Sequence, residues 1–307
     1  MPVLRRLLLP ALCTAVLTVA AALLPGGVHV PASRGWTNQA AARFWTPERM
    51  ADSMPDSGLP SDPGDPPDLI TPPDADVGSL AAIGTAVHFE GIPTVGMLFS
   101  VGSDLAAHFC TASVVHSPGR DLLLTAAHCE GGSHLGFVPD YRAGTGAQPY
   151  GIWAVDREFT DPRWTPDDDA ASDYDFAFAT VSRGPHGERL EDVTGANRLA
   201  RTPGYRNRVT VIGYPHGADD PSDQAVTCTT TTGRLEGEQQ LQMDCEGFYS
   251  GTSGSPWILD YTSRTRSGTV IGVIGGLDGG GTTDRISYSP FLGDAALALY
   301  RTATQSG

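Results

Sequence analysis

Short apolar runs, each bounded by Gly, Pro, Asp or Ser, recur about every ten residues from about residue 83 to the end of the 307-residue chain. They are VGMLFSV (95–101), TASVVH (111–116), DLLLTAA (121–127), FAFATV (176–181), VTVIGY (209–214), SPWIL (255–259) and TVIGVIGG (269–276). Runs this short are typical of β-strands, and 37 Gly and 24 Pro leave little room for long helices. The pattern predicts an all-β barrel or sandwich. One clear helical pattern, at 293–303, places Ala296, Leu297 and Tyr300 on one face.

The N-terminus has the organisation of an export signal. Arg5 and Arg6 precede an apolar run from Leu7 to Leu24, and small residues follow it. This arrangement indicates a secretory signal peptide over residues 1–32, with Cys13 inside it. The alternative is a membrane anchor, because about 18 apolar residues can just span a bilayer. With the signal removed, we expect a secreted, extracellular protein without stable membrane association.

An acidic, proline-rich stretch separates this signal from the strand pattern. Residues 51–80 contain seven Asp and seven Pro and almost no apolar periodicity. Proline removes backbone donors and the carboxylates repel one another, so no core can form there. We therefore predict a disordered linker or pro-segment over residues 33–82 and a folded domain over residues 83–307.

Charge excludes one class of partner. The 20 basic residues are all Arg, 35 residues are acidic, and the net charge is −15. Nucleic-acid binding requires clustered Lys and Arg, and this chain has no basic run. We expect no nucleic-acid partner.

Four cysteines remain after removal of the signal: Cys110, Cys129, Cys228 and Cys245. Export permits disulfides, and counting alone allows three pairings. The shortest loops would join Cys110 to Cys129 and Cys228 to Cys245. A zinc site is the competing interpretation, but no C-x-x-C or H-x-x-x-H spacing supports it.

Three local patterns contain residues suited to nucleophilic catalysis. His128, in LLLTAAHCE, follows an apolar run and could take up and return a proton near neutral pH. Asp175 directly precedes the alternating run FAFATV and could orient such an imidazole; Asp173 is its local rival. Ser253 lies between glycines in FYSGTSGSPW, where backbone N–H groups can be exposed, although Ser250 and Ser255 are candidates by residue type.

Nucleophile, base and orienting carboxylate occur in the chain order His, Asp, Ser. With CTASVV, LLLTAAHC, DYDFAFA, VIGYP and GTSGSPW, the chain from Val95 to Ala303 resembles trypsin-like (chymotrypsin-fold) serine peptidases, and most closely their secreted bacterial branch. The resemblance implies two antiparallel six-stranded β-barrels, about 83–190 and 191–303, with the active site in the cleft between them. A short C-terminal helix would close the second barrel.

The same resemblance implies residue roles. His128 would be the base, Asp175 its orienting carboxylate and Ser253 the nucleophile, with the amides of Gly251 and Ser253 as the oxyanion hole. It also supports a disulfide between Cys110 and Cys129. No cofactor and no metal are expected.

The sequence departs from trypsin at the residue before the nucleophile, which is Thr252 in place of the usual Asp. No Ile-Val-Gly-Gly-like start is present, and no Arg lies between Arg49 and Arg120. We therefore expect a preformed site, as in bacterial relatives similar to glutamyl endopeptidases. A chain starting near residue 80 is expected to be active without processing.

Specificity is predicted from the resemblance as well. The position six before the nucleophile is Gly247, which supplies no carboxylate for a cationic substrate. Ile274, Gly275 and Gly276 are predicted to form a small, apolar pocket wall. Asp278 and Asp284 lie nearby, where they could restore a cationic preference or remain solvated loop acids. We expect a neutral or small side chain before the scissile bond.

These observations predict a secreted, monomeric serine endopeptidase acting on protein or peptide substrates through an acyl-enzyme intermediate. The alternative is a catalytically inactive homologue that binds extracellular proteins or cell-surface polymers.

Overall fold

The computed structural model describes residues 35–56, 84–166 and 168–305, so the predicted signal peptide and residues 57–83 lie outside it. Its helices are α1 (Asn38–Phe44), α2 (Pro47–Ala51), α3 (Leu190–Thr194) and α4 (Asp294–Gln305). Its strands are β1 (Met54–Pro55), β2 (Gly84–Thr85), β3 (Val87–Phe89), β4 (Val95–Val101), β5 (Ala107–Val115), β6 (Leu122–Thr125), β7 (Ser133–Pro139), β8 (Trp153–Thr160), β9 (Ala177–Val181), β10 (Arg198–Leu199), β11 (Arg208–Gly213), β12 (Ala225–Thr231), β13 (Gly233–Arg234), β14 (Gln240–Glu246), β15 (Pro256–Thr262), β16 (Ser267–Val273) and β17 (Ile286–Pro290). Short 3₁₀-helices span Ala127–Cys129, Asp169–Tyr174 and Leu277–Gly280. Within the described ranges, no helix is long and apolar enough to cross a membrane.

The first half of the chain forms a closed barrel. Its strands pair antiparallel in the order β5-β4-β7-β8-β9-β6, and β6 returns to pair with β5. Alternation along β9 follows the period of a strand, because Ala179 and Val181 belong to the barrel's inner cluster while Phe178 packs outside it. This half is the first of the two predicted barrels.

The second half forms a barrel-like pair of sheets. One sheet has the order β10-β16-β15-β11-β12-β3, and the other joins β13, β14 and β17. Val211, Met243, Trp257 and Ile271 fill the space between them. The edges meet through the Cys228–Cys245 disulfide between β12 and β14 and through contacts between β16 and β17. The predicted all-β chymotrypsin-type fold is confirmed, with side-chain and disulfide contacts at these two edges in place of a continuous hydrogen-bonded ladder.

Both ends of the predicted domain cross to the opposite half. β2 and β3 pair with β14 and β12 of the second half, so the strands of the first barrel begin at Val95 and not at residue 83. The helix α4, expected to close the second barrel, packs on the first: Tyr300 Oη donates to the His116 carbonyl at 2.8 Å. Its buried face contains Ala296 and Leu299, whereas Leu297 stays half-exposed. Periodicity identifies an apolar helix face but not the surface that covers it.

Residues 35–56, which we predicted as part of a disordered linker, are folded. The helices α1 and α2 begin at the N-caps Thr37 and Thr46, whose side chains accept backbone N–H bonds. Trp45 is only 1% exposed and its indole Nε1 donates to the His134 carbonyl at 2.7 Å, while Met50 is buried beside it. The prediction is wrong here because a few large apolar side chains outweigh the surrounding Asp and Pro.

Candidate active site

His128 is mounted at the end of a core strand. β6 ends at Thr125, and the 3₁₀-turn Ala127–Cys129 places the histidine one residue before a disulfide. That disulfide joins Cys110 to Cys129 with Cα atoms 6.0 Å apart, and the second joins Cys228 to Cys245 at 6.7 Å. Both shortest-loop pairings are therefore present. A disulfide on one side and a buried strand on the other leave the His128 backbone little freedom.

Asp175 lies beside His128 and is held by three N–H donors. Its Oδ1 accepts from the His128 backbone at 2.9 Å, and its Oδ2 accepts from His128 Nδ1 at 2.8 Å and from the Gly276 amide at 2.7 Å. Burial by itself raises the pKa of Asp175, but His128 and these donors outweigh it and lower that pKa. The carboxyl group is thus ionised at neutral pH. Its rival Asp173 instead accepts from Gln240 Nε2 at 3.1 Å.

The environment of His128 favours its protonated form. Its side chain is 6% exposed, and burial by itself lowers the pKa. The charge of Asp175, its hydrogen bond to Nδ1 and the charge of Asp56 outweigh this and raise the pKa of His128. Because Asp175 accepts from Nδ1, the neutral ring presents Nε2 as its free acceptor. Nε2 is buried and has no hydrogen-bond partner among the described residues.

The segment Gly251–Ser255 forms a turn in which two positions, Gly251 and Gly254, can be occupied only by glycine. Gly251 has φ +94°, and a Cβ there would lie 2.4 Å from the Phe109 ring. Gly254 has φ +81°, and a Cβ there would lie 2.1 Å from the Thr111 carbonyl oxygen. In the hydrogen bonds of the described residues, the amides of Gly251 and Ser253 donate to no protein acceptor. These two amides are the donors predicted for an oxyanion hole.

Thr111 of β5 connects this turn to the first barrel. Its backbone N–H donates to the Ser253 carbonyl at 2.8 Å, and its Oγ1 donates to the Gly251 carbonyl at 3.1 Å. The same Oγ1 accepts from the Tyr214 amide at 3.0 Å, and Thr125 Oγ1 donates to the Thr111 carbonyl at 2.9 Å. Thr111 is fully buried. Thr111 acts by positioning the Ser253 turn, and it was not predicted from the sequence because TAS within a strand resembles ordinary core.

The structure brings His128 and Asp175 into contact but does not join Ser253 to His128 by a hydrogen bond. Ser253 is buried to 8% exposure, and Gly254 next to it lies against Thr125 and Ala126, just before His128. The two side chains therefore belong to adjoining segments. Ser255, a rival by residue type, is fully buried.

A cavity of about 250 Å³ adjoins Ser253 and contains part of the predicted specificity pocket. Ile274 lines it, together with Phe248, Tyr249 and Asp284. The other predicted pocket residues lie elsewhere: Gly247 donates its amide to the Asp284 carbonyl at 3.0 Å, and Gly275 and Gly276 lie against Asp175. Gly276 lines a second cavity of about 350 Å³ with His128 and Asp175. The pocket wall formed by Ile274, Gly275 and Gly276 therefore stays a prediction, and of these three residues only Ile274 lines the cavity at Ser253.

In the part of the chain that the structure describes, one cluster of His, Cys, Asp or Glu is compact enough for a metal ion: Cys110, His128 and Cys129. Both cysteines are consumed by the disulfide and offer no thiolate. In the aspartate-rich loop before Asp175, Asp168 caps the 3₁₀-helix Asp169–Tyr174 by accepting from the Ala170 amide at 3.0 Å.

The family model for the trypsin-like peptidase domain matches residues 110–273, which is more than half of the chain. The chain therefore belongs to the trypsin-like peptidase family. No curated protein matches the chain at a significant level.

Solved structures of proteases share the fold. The chain is similar to the protease Anisep from Arthrobacter nicotinovorans, at 23% identity and a TM-score of 0.62, over 72% of this chain and 100% of that one. It is similar to the thermostable serine protease AL20 from an extremophilic microorganism, at 23% identity and a TM-score of 0.60, over 70% and 98%. A Glu endopeptidase matches at 15% identity and a TM-score of 0.53, over 73% and 98%. At these identities the likeness establishes the fold alone.

Proposed function

We propose that this protein is a secreted serine endopeptidase that hydrolyses peptide bonds through an acyl-enzyme intermediate. The observation that supports it most strongly is the buried contact of His128 Nδ1 with Asp175 Oδ2 at 2.8 Å. It lies beside a glycine-bounded serine turn whose Gly251 and Ser253 amides donate to no acceptor among the described residues. A buried carboxylate that fixes the tautomer of a histidine leaves the other ring nitrogen available to act as a general base.

The chemistry assigns one role to each group. Ser253 Oγ attacks the substrate carbonyl carbon while its proton passes to His128 Nε2. The amides of Gly251 and Ser253 stabilise the resulting oxyanion, each by about 3–4 kcal/mol at the transition state. His128 then gives the proton to the departing amine, and a water molecule repeats the sequence on the acyl-enzyme. Asp175 stays ionised and holds the imidazole throughout.

Thr252 supports a site that needs no activating ion pair. Its Oγ1 donates to the Tyr249 carbonyl at 2.8 Å and its amide donates to the same oxygen at 3.2 Å, which closes the turn locally. Trypsin-type activation uses a carboxylate at this position to bind a new N-terminus, and threonine cannot form that ion pair. The oxyanion amides are therefore oriented by contacts already present in the folded chain.

Labelling with an organophosphonate serine probe tests the proposal. We expect one adduct at neutral pH, located on Ser253 by peptide mass mapping, and casein hydrolysis by the same sample. The Ser253→Ala variant should neither label nor cleave, while the matched control Ser250→Ala, altered at an exposed serine of the same loop, should label like the wild type. An unlabelled wild type with the fold intact by circular dichroism would instead favour an inactive, binding homologue.

Export is the second part of the proposal. The two disulfides fit an oxidising compartment, and small disulfide loops are common in secreted proteins. We expect the culture medium to contain a monomeric protein whose N-terminal sequence begins after residue 32. A cell-associated protein that retains residues 1–32 would support the membrane anchor.

A further inference from the structure

Residues Met54–Asp56, which we call the strap, lie along one edge of β5. Met54 and Pro55 pair in parallel with His108 and Phe109, and the Asp56 amide donates to the Phe109 carbonyl at 2.9 Å. The opposite edge of β5 is occupied by β4. The strap thus covers main-chain groups of β5 that would otherwise be free to pair with another extended chain.

The covered edge lies next to His128. Asp56 lines the cavity of about 350 Å³ on one side of the histidine and another of about 640 Å³ that also contains His128. Its charge contributes to the raised pKa of that histidine. The Asp56 carbonyl oxygen lies 3.7 Å from Cys110 Sγ, beside the disulfide that holds the His128 turn. The strap therefore occupies the cleft at the proposed general base.

Met54 and Pro55 of the strap add little burial or backbone pairing, whereas the residues before them are firmly packed. Met54 is 53% exposed, and Pro55 has no N–H to contribute to the pairing. The residues just before it are fixed, because Ser53 is buried and its Oγ donates to the Arg49 carbonyl at 2.9 Å. Since Trp45 anchors α1 and α2, a released strap stays near the cleft at high effective concentration.

We propose that the strap is an autoinhibitory segment, because it occupies the β5 edge at His108–Phe109 along which an extended substrate would otherwise pair. Seating of the strap and pairing of a peptide there exclude one another, because both would use the same main-chain groups. The strap lowers the fraction of molecules that can accept a long substrate. A small reagent such as an organophosphonate contacts only the Ser253 site and does not need this edge, so its reaction should not depend on the strap. This inference rests on the proposed peptidase function.

A reversible lock tests the exclusion in the full-length protein. Met54 and His108 are register partners, so the double variant Met54→Cys/His108→Cys can form a disulfide that fixes the strap on β5. We expect the oxidised variant to cleave casein about tenfold or more slowly than the same protein after mild reduction. Wild type treated with the same reductant, and the Met54→Cys single variant, control for effects on the native disulfides.

Organophosphonate labelling of Ser253 separates the two possible failures. If locked and reduced forms label equally but also cleave casein equally, the strap does not exclude substrate and the inference is overturned. If neither form nor the wild type labels at all, it is the proposed peptidase function that fails.

A second pair of variants avoids dependence on the engineered disulfide. Asp56→Pro removes the N–H that donates to Phe109, whereas Asp56→Asn removes the same charge and keeps that N–H. We expect Asp56→Pro to raise kcat/KM for casein severalfold above Asp56→Asn, with equal labelling of Ser253. If Asp56→Pro cleaves casein no faster than Asp56→Asn, or more slowly, β1 is a structural strand and the inference is wrong.

Discussion

Replacing Thr111 by valine should loosen the Ser253 turn from the first barrel without a large change in side-chain shape. The Thr111 hydroxyl donates to the Gly251 carbonyl at 3.1 Å and accepts from the Tyr214 amide at 3.0 Å, and all three residues are buried. Valine fills nearly the same volume but leaves one buried C=O and one buried N–H without a partner. Each unsatisfied group costs about 1–3 kcal/mol, so we expect a loss of about 2–6 kcal/mol in the free energy of unfolding.

Thermal unfolding and casein kinetics measure this effect. For a domain of this size, the loss corresponds to a fall in Tm of about 4–24 °C. Because Gly251 and Ser253 provide the oxyanion amides, the same change should lower kcat by about one to two orders of magnitude while KM changes little. The Thr111 N–H bond to Ser253 remains in every variant, so the turn is loosened and not released.

The control is Thr111→Ser, which keeps the hydroxyl and removes only a methyl group. It should cost about 1 kcal/mol and leave kcat near the wild-type value. If the serine and valine variants have the same Tm and the same kcat, the hydroxyl does not hold the Ser253 turn, and the reasoning from these two hydrogen bonds is refuted.

Three further changes test other contacts. Asp175→Asn should lower kcat for casein by about four orders of magnitude, because the amide supports the wrong tautomer of His128; retention of most activity would contradict the assigned role. Asp175 raises the pKa of His128, and only the neutral imidazole can act as base. The acid limb of kcat/KM should therefore have a midpoint above about 6.5, the ordinary pKa of histidine. A midpoint below that value would be inconsistent with the buried ion pair. Trp45→Ala should cost about 3–5 kcal/mol in urea unfolding, with Trp45→Phe as the milder control; an unchanged midpoint would mean that residues 35–56 do not stabilise the barrel.

The folded N-terminal segment also changes what is expected of shortened chains. From the sequence we expected a chain starting near residue 80 to be active. Such a chain lacks Ala41, Trp45 and Met50, which are buried against the first barrel. We now expect it to be less stable than a chain starting near residue 33, by several kcal/mol for Trp45 alone. The comparison requires only two truncations and their urea midpoints.

Much of the fold could be predicted because its signals are local. Each of the seven apolar runs read from the sequence overlaps a strand, and β4 matches its predicted bounds of 95–101. Alternation places Phe178 and Ala179 on opposite faces, a property of strand geometry that needs no distant partner. The pairing of Cys110 with Cys129 likewise joins positions only 19 residues apart.

Assignments that depend on distant contacts failed or were missed. The composition of residues 35–56 does not reveal that Trp45 packs closely against Gly136. A Cβ at Gly136 would lie only 2.9 Å from the Trp45 indole. The helix α4 has an apolar face, but only the folded chain shows that Phe178 of the first barrel covers Tyr300 on it. In the sequence, Asp56 is one acidic residue among many, and only the fold shows that it lines the same cavity as His128.

By itself, the sequence determined the strand pattern, the histidine and serine motifs and the glycines around Ser253, since each depends on neighbouring residues and on backbone freedom. The tertiary structure alone decided that Thr111 holds Gly251 across 140 positions and that the strap lies at the cleft. It also gave the contact of Asp175 with His128 across 47 positions, which the sequence had implied only through a family resemblance. The physical reason is that hydrogen bonds and burial act between neighbours in space. Local periodicity predicts strands, but only closure of the barrels brings these distant side chains together.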